Sequence, residues 1–156
     1  MSTPEPVDIG LAWGISGSFL DYLERIGDAT IDIGDGAAMT STGEFFFPFV
    51  AATPERTAFG GELSMRAHFG ALEVRLAAPA VEWGRQPVLT VAGASAGTRL
   101  RLVALHPAEV IDEGSVRMWP GVATTLHPDA CHLFGGVYPP GEPFAPLTVR
   151  TPTRTG

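Results

Sequence analysis

The sequence has no lysine, and all ten of its basic residues are arginines. With seventeen acidic residues, the net charge is −7 at pH 7. Proteins that bind nucleic-acid backbones carry clustered basic residues, and this sequence has no such cluster. Its densest basic group, Arg99-Leu100-Arg101, alternates as the residues of a half-exposed strand do. The composition therefore argues against a nucleic acid as the partner.

Cysteine is almost absent as well, since Cys131 is the only one. One cysteine can form neither an intramolecular disulfide nor the CxxC and CxxCH motifs of metal sites and covalent haem attachment. His127 and His132 lie near it in the sequence. No fourth zinc ligand accompanies them, so a surface loop is the favoured interpretation.

Long hydrophobic runs are also lacking, because none approaches the roughly 20 residues of a membrane-spanning helix. The first residues, Met1-Ser-Thr-Pro-Glu-Pro, have neither the positive charge nor the apolar stretch of a signal peptide. We therefore expect either a cytoplasmic protein or the mature form of an exported one.

Glycine and proline, in contrast, are frequent, with 19 and 14 residues. They separate short apolar segments, which favours a β-rich chain with tight turns. A length of 156 residues fits one domain. We predict a single mainly β domain over residues 1–156, with its core at about 9–149, in which antiparallel, sandwich-like sheets pack against one N-terminal amphipathic helix.

The helix is predicted over residues 11–26, and Gly27 is expected to end it. Apolar side chains recur there at helical spacing. They are Ile15, Phe19, Tyr22, Leu23 and Ile26.

Alternation with a period of two indicates about eight to ten short strands. Pro48 cannot donate to a ladder, so its strand is expected at a sheet edge or with a bulge. Residues 62–69 and 72–76 form an expected hairpin with a short turn at Gly70. Further strands are expected at residues 30–33, 80–83, 88–91, 100–105, 122–126 and 147–149.

Ser18 and Tyr22 project side by side on the predicted helix, next to Phe19. A tyrosine on an apolar stripe is commonly a core residue whose hydroxyl finds a partner at the edge of the core. His68 shares the polar face of its strand with Arg66, which predicts exposure. A bulge near the following glycine would turn it inward, or the polar face would itself line a pocket. The residues alone leave these alternatives open.

Four blocks of sequence, in order, resemble the HtaA domain of actinobacterial haem uptake. The first, Leu11–Tyr22, resembles L-x-W-G-x-x-x-S-F-x-x-Y, and the second, Gly43–Pro48, resembles G-x-F-x-F-P. The third, Gly61–Leu72, resembles G-x-V-x-F-x-x-H-x-G-x-L. The fourth, Phe134–Pro146, resembles F-x-x-x-Y-x-x-G-x-x-x-D-P, although Ala145 stands where the family has aspartate. Residues 106–120 have no clear counterpart.

The resemblance implies a β-rich domain that holds one b-type haem without a covalent bond. It implies that Tyr22 is the axial ligand of the iron and that His68 hydrogen-bonds its phenol. Ser18 matches a serine near a haem propionate, and Phe134 matches an aromatic residue that packs on the porphyrin. Arg66 is a further candidate for a propionate, and Phe19 flanks the ligand.

The chemistry of these residue types agrees with that assignment. A phenol in water titrates near pH 10, and ferric iron favours the phenolate. A neighbouring imidazole orients such a ligand and tunes its basicity, and tyrosine is a recognised haem ligand. An anionic oxygen favours ferric over ferrous haem, so reduction or protonation of the Tyr–His pair is expected to speed release.

The favoured function is therefore haem capture, storage or transfer without turnover, with a haem carrier or transporter component as partner and a homodimer as an option. The family is commonly secreted or part of the cell envelope. One alternative is a haem enzyme with peroxide-driven activity, as in the Tyr-ligated catalases. Another is an interaction module without cofactor, in which Phe45, Phe47 and Phe134 fill the pocket.

Overall fold

β-strands contain more than half of the residues that the structure describes. The computed structural model describes residues 9–40, 43–93, 95, 97–134, 136 and 138–152. The acidic lead 1–8 and residues 135 and 137 of the fourth sequence block lie outside the described residues. The strands are β1 Gly10–Trp13, β2 Thr30–Gly34, β3 Ala38–Met39, β4 Phe45–Ala52, β5 Arg56–Phe59, β6 Glu62–Ala67, β7 Leu72–Ala77, β8 Ala80–Glu82, β9 Val88–Ala92, β10 Arg99–His106, β11 Ile111–Glu113, β12 Val116–Leu126 and β13 Pro143–Pro152.

Helices are few and short. The α-helix, α1, spans Gly17–Ile26, and two 3-10 segments span His68–Gly70 and Pro128–Phe134. In the described ranges, no helix is long and apolar enough to cross a membrane. The mainly β architecture with antiparallel sheets and one N-terminal helix is confirmed.

The main sheet closes on itself. Its strand order is β1-β13-β12-β10-β9-β8-β5-β4, and β4 pairs with β1 again. Trp13 of β1 therefore has Leu147 of β13 on one side and Phe45 of β4 on the other. The result is a closed, barrel-like ring of strands. The inward side chains form one apolar core, which includes Leu11, Trp13, Phe45, Phe47, Leu89, Val91, Leu102, Leu147 and Val149.

A second sheet has the order β2-β6-β7. The predicted hairpin of β6 and β7 is confirmed, with Met65 opposite Val74 and Leu63 opposite Leu76. These four side chains are buried in the same core as the ring. The hairpin therefore packs one apolar face on the main sheet and leaves its tip, residues 68–71, at the surface.

The helix begins later than the sequence predicted. Residues 11–13 are a strand because they pair with β13 and β4 at once. Ile15 then has a φ of 64°, which ends the strand, and Ser16 caps the helix by accepting a hydrogen bond from Phe19 N at 3.3 Å. Gly27, in the left-handed region, ends α1 as expected.

The strand that contains Pro48 is not at an edge, because β4 pairs with β1, β3 and β5. Its register shifts between Phe49 and Ala51, so the alternative of a bulged strand is confirmed. Pro48 has no N–H to contribute, but its carbonyl accepts a hydrogen bond from Gly60 N at 2.8 Å. A proline is therefore accommodated inside the sheet where the ladder is interrupted.

Candidate functional site

The hydroxyl of Tyr22 and the imidazole of His68 meet at the surface. The distance from Tyr22 Oη to His68 Nε2 is 2.7 Å. Tyr22 lies on the outer side of α1 and is 40% exposed, so it is not a core residue. The structure thus brings together two residues that are 46 positions apart in the chain.

The backbone at the tip of the hairpin is unusual. His68, Phe69 and Gly70 have successive φ values of 53°, 56° and 91°. The left-handed region costs a residue with a side chain roughly 1–2 kcal/mol, so two such residues in a row need support from outside the turn.

Asp28 gives that support. Its carboxylate oxygens accept the backbone N–H groups of His68 at 3.2 Å and Phe69 at 2.8 Å. Hydrogen bonds to a charged acceptor are among the stronger ones in proteins. Asp28 directly follows Gly27, the last turn of α1, so it fastens the helix that carries Tyr22 to the turn that carries His68.

Phe69 is 99% exposed. Leu63, Met65 and Ala67, at the alternate positions before it, are all buried. The strand ends at Ala67, and the left-handed turn carries the next side chain away from the core. As a consequence, the aromatic ring of Phe69, next to His68 in the sequence, is fully exposed to solvent.

Ser18 lies one helical turn before Tyr22 and is exposed. Its hydroxyl hydrogen-bonds the hydroxyl of Tyr138 at 3.0 Å and that of Ser16 at 3.2 Å. Tyr138 was missed as a site residue, because only the fold brings residue 138 to the helix. The two tyrosines of the chain thus both lie at α1.

An aromatic layer supports α1 from below, and it consists of Phe19, Phe134, Tyr138 and Phe144. Phe19 meets Phe134 edge-on with ring centroids 5.1 Å apart, and Phe134 meets Phe144 in the same way at 5.1 Å. Phe19 and Phe134 are both buried. Phe134 therefore lies behind the helix rather than on an open surface, and Phe45 and Phe47 are buried in the ring.

The remaining sequence candidates have partners other than Tyr22 and His68. Arg66 forms an exposed ion pair with Glu73 across the hairpin, at 2.6 Å. His127 Nδ1 accepts a hydrogen bond from Asp129 N at 3.1 Å, beside Cys131. Within the part of the chain that the structure describes, no group of three His, Cys, Asp or Glu side chains is arranged to hold a metal ion.

The donor set at Tyr22 fits a ferric haem iron. The phenol oxygen is accessible, and ferric iron is a hard cation that prefers anionic oxygen ligands. The imidazole of His68 is hydrogen-bonded to the phenol oxygen, and Phe69 offers an apolar surface next to it. The pair therefore has the chemistry of an oxygen ligand for iron with a hydrogen-bonding neighbour.

Comparisons with known proteins identify a matching family model and several similar structures. The family model HtaA (Htaa) matches residues 8–150. A search of curated proteins found no significant match. Three similar solved structures come from Corynebacterium glutamicum.

The N-terminal domain of HtaA has a TM-score of 0.73 and 20% identity, covering 96% of this chain and 98% of that one. The heme binding protein HtaB has a TM-score of 0.72 and 21% identity, covering 92% and 91%. The C-terminal domain of HtaA has a TM-score of 0.69 and 13% identity, covering 92% and 94%. At these identities the likeness establishes the fold.

Proposed function

Because the chain belongs to the HtaA family, we propose that it binds one b-type haem non-covalently, with the oxygen of Tyr22 as the axial ligand of ferric iron. The observation that carries this proposal is the accessible Tyr22 hydroxyl 2.7 Å from His68 Nε2. A similar structure, HtaB, is described as a heme binding protein, which supports the same conclusion.

The Tyr22–His68 pair provides for the proton that a phenol must lose on binding a metal. An unprotonated Nε2 would accept a hydrogen bond from the hydroxyl in the free protein, and an imidazole that has taken up the proton would donate back to the phenolate oxygen when iron is bound. One hydrogen bond therefore persists in both states. Bound ferric haem supplies a Lewis-acidic iron that stabilises the phenolate. His68, held by Asp28 through its backbone N–H, is in place before haem arrives.

The other candidates have supporting roles in this proposal. Ser18 has an exposed hydroxyl that would hydrogen-bond a propionate, next to Tyr138. Arg66 would reach a propionate only by leaving or sharing its pair with Glu73. Phe19 and Phe134 belong to the aromatic layer that holds α1 in place, and Phe69 is the aromatic side chain open to a porphyrin.

We assign the protein to haem capture and transfer, with a haem carrier or transporter component as partner. An open surface site with one anionic ligand suits exchange. Protonation would turn the phenolate into a poorer ligand, and reduction would produce ferrous iron, for which an anionic oxygen has less preference. Haem loss to apomyoglobin is therefore expected to speed up at low pH and on reduction with dithionite. Equal rates of loss under all conditions would contradict this form of release.

The proposal is tested by titrating the protein with ferric haem and recording visible absorption. We expect a saturable one-to-one Soret band with a phenolate charge-transfer band, both lost in Tyr22→Phe. Tyr138→Phe is the matched control, since it removes the only other phenol, and it is expected to keep both bands. His68→Ala is expected to weaken binding by about 10–100-fold, the usual range for a residue that orients a metal ligand. Equal binding by wild type and Tyr22→Phe would refute the ligand assignment.

A further inference from the structure

The ring of strands has an open end away from α1. β13 runs from Phe144, in the aromatic layer, to Thr151 at this end. At roughly 3.3 Å per residue, the two ends lie about 20 Å apart along the strand. The open end holds a cavity of about 490 Å³ whose lining includes Trp83, Trp119, Arg117 and Thr151. It is separate from the Tyr22 site.

Two indole rings form one wall of this cavity. Trp83 and Trp119 are stacked, with centroids 4.7 Å apart and planes 30° apart. Trp83 Nε1 donates to Thr57 Oγ1 at 2.9 Å, which fixes the orientation of that ring. Because the indoles lie against each other, no slot is left between them. They offer a flat apolar platform to one side of a ligand, and both are partly exposed.

The rim beside the platform is polar but electrically balanced. Arg117 Nε and Nη2 donate to the two carboxylate oxygens of Asp112 at 2.7 and 3.4 Å. The ion pair cancels the charge, yet a guanidinium has five N–H donors, so donors remain for another acceptor. The rim is therefore better suited to a neutral ligand with hydrogen-bond acceptors than to an anion.

The floor provides a second polar group. Thr151 is only 5% exposed, and it lines the cavity. Its hydroxyl has no side-chain hydrogen-bond partner among the described residues, and it is not sealed from the cavity. The Thr151 hydroxyl is therefore free to hydrogen-bond a ligand in the cavity in place of water.

We propose that this cavity binds a carbohydrate, as a neutral mono- or disaccharide unit. A pyranose ring has an apolar C–H face that stacks on one side of an indole and hydroxyls that point outward. Here the C–H face of the sugar would lie on the Trp83–Trp119 platform. Its hydroxyls would accept hydrogen bonds from Arg117 and form a hydrogen bond with the hydroxyl of Thr151. The volume falls within the roughly 300–1,000 Å³ of small-molecule pockets, which occur in the mouths of closed sheets.

The tryptophan side chains supply the test. The chain has three tryptophans, and Trp13 is buried elsewhere in the ring. In ¹H–¹⁵N spectra of the full chain, we titrate maltose, cellobiose and chitobiose and follow the three indole N–H signals. At least one sugar is expected to shift the Trp83 and Trp119 signals saturably and leave Trp13 unmoved. No shift with any of them, or equal shifts of all three signals, overturns the proposal.

Two variants identify the contacts. Trp119→Ala is expected to weaken binding of the active sugar at least tenfold, and the isosteric Thr151→Val several-fold. Thr30→Val, which changes an exposed threonine of β2 outside the cavity lining, is the control. A polyproline peptide that shifts the two signals when no sugar does would overturn the proposal in favour of a peptide site. The haem titration is expected to be unchanged in Thr151→Val, so this proposal and the haem proposal can fail separately.

Discussion

At the scale of single residues, the pairing of Tyr22 with His68 rests on a third side chain. Asp28 bonds the two backbone N–H groups that begin the hairpin tip, and that tip has an unfavourable backbone conformation. The position of the imidazole is therefore set by a carboxylate that never touches it. This makes Asp28 a positioning residue in the proposed haem site.

Replacing Asp28 with alanine is expected to loosen the turn and misplace His68. We expect the dissociation constant for ferric haem to rise about tenfold, which corresponds to about 1.4 kcal/mol, and the phenolate charge-transfer band to shift. Asp21→Ala removes an exposed carboxylate from the same helix and serves as the control in the same titration. A normal band and affinity in Asp28→Ala would show that the turn holds its shape unaided.

The pair of Asp112 and Arg117 predicts a pH dependence. The hydrogen bond from Arg117 lowers the pKa of Asp112 below its ordinary 3.8. A lowered native pKa means that the pair stabilises the fold above the unfolded value, and that this contribution is lost as pH falls through the native pKa. A carboxyl ¹³C titration of Arg117→Gln is expected to return the pKa of Asp112 towards 3.8. An unchanged titration would show that the pair is absent in solution.

The sequence predicted part of this site. Tyr22 and His68 were identified through the resemblance of two sequence blocks to a known family, and the structure places them in contact. Asp28 and Tyr138 could not be predicted as site residues from the sequence. Their partners, His68 and Ser18, are 40 and 120 residues away, and only the fold brings them together. The exposure of Phe69 could not be predicted either, because alternation gives side-chain direction along a strand but not in the turn that ends it.

At the scale of elements, α1 is defined by its two ends. Ser16 provides the N-cap and Gly27 the left-handed residue that terminates the helix. Sequence periodicity placed the start too early because Leu11 and Ile15 have helical spacing as well as strand spacing. Strands β3 and β11 span only two and three residues, too few to show a period. The strand β10 was located to within one residue at each end, but only residues 122–126 of β12 and 147–149 of β13 were predicted. Register shifts between Trp119 and Thr124 interrupt the alternation of β12 and hide its first half.

The two helix-end glycines form a matched pair for mutation. Gly27 has a φ of 86°, while Gly17 begins the helix, and an added Cβ would meet nothing within 4 Å at either position. Gly27→Ala is therefore expected to cost about 1–2 kcal/mol through backbone strain alone. Gly17→Ala is expected to be neutral or slightly stabilising. Urea unfolding measures both, and equal stabilities would contradict the strain argument.

At the scale of the whole molecule, the ring is closed by a short strand that has two partners. Gly10 of β1 pairs with Pro48 of β4 and Arg150 of β13. A Cβ added to Gly10 would run into the carbonyl oxygen of Phe47 and lie 2.7 Å from Phe46 Cζ. The closure of the ring therefore depends on close backbone approach at this one glycine.

Gly10→Ala is expected to destabilise the protein by about 2–3 kcal/mol or more, because the clash involves backbone that cannot move without opening the β1–β4 pair. Gly84→Ala, where a Cβ would meet nothing within 4 Å, is the control. Denaturant midpoints of the two variants should differ clearly. A wild-type midpoint for Gly10→Ala would mean that the ring does not close at this position in solution.

The strand order also has a consequence for synthesis on the ribosome. β1 emerges first but has one partner in β4 and the other in β13, whose residues 143–152 emerge more than a hundred positions later. Until then, β1 and β12 each keep an unpaired edge, which is the surface on which nascent chains pair wrongly. The fold is therefore completed only after translation of β13, and pairings between distant segments are slow to form. The edge of β1 therefore stays open during most of the synthesis of the chain, whereas the edge of β12 stays open only for the short interval before β13 follows it.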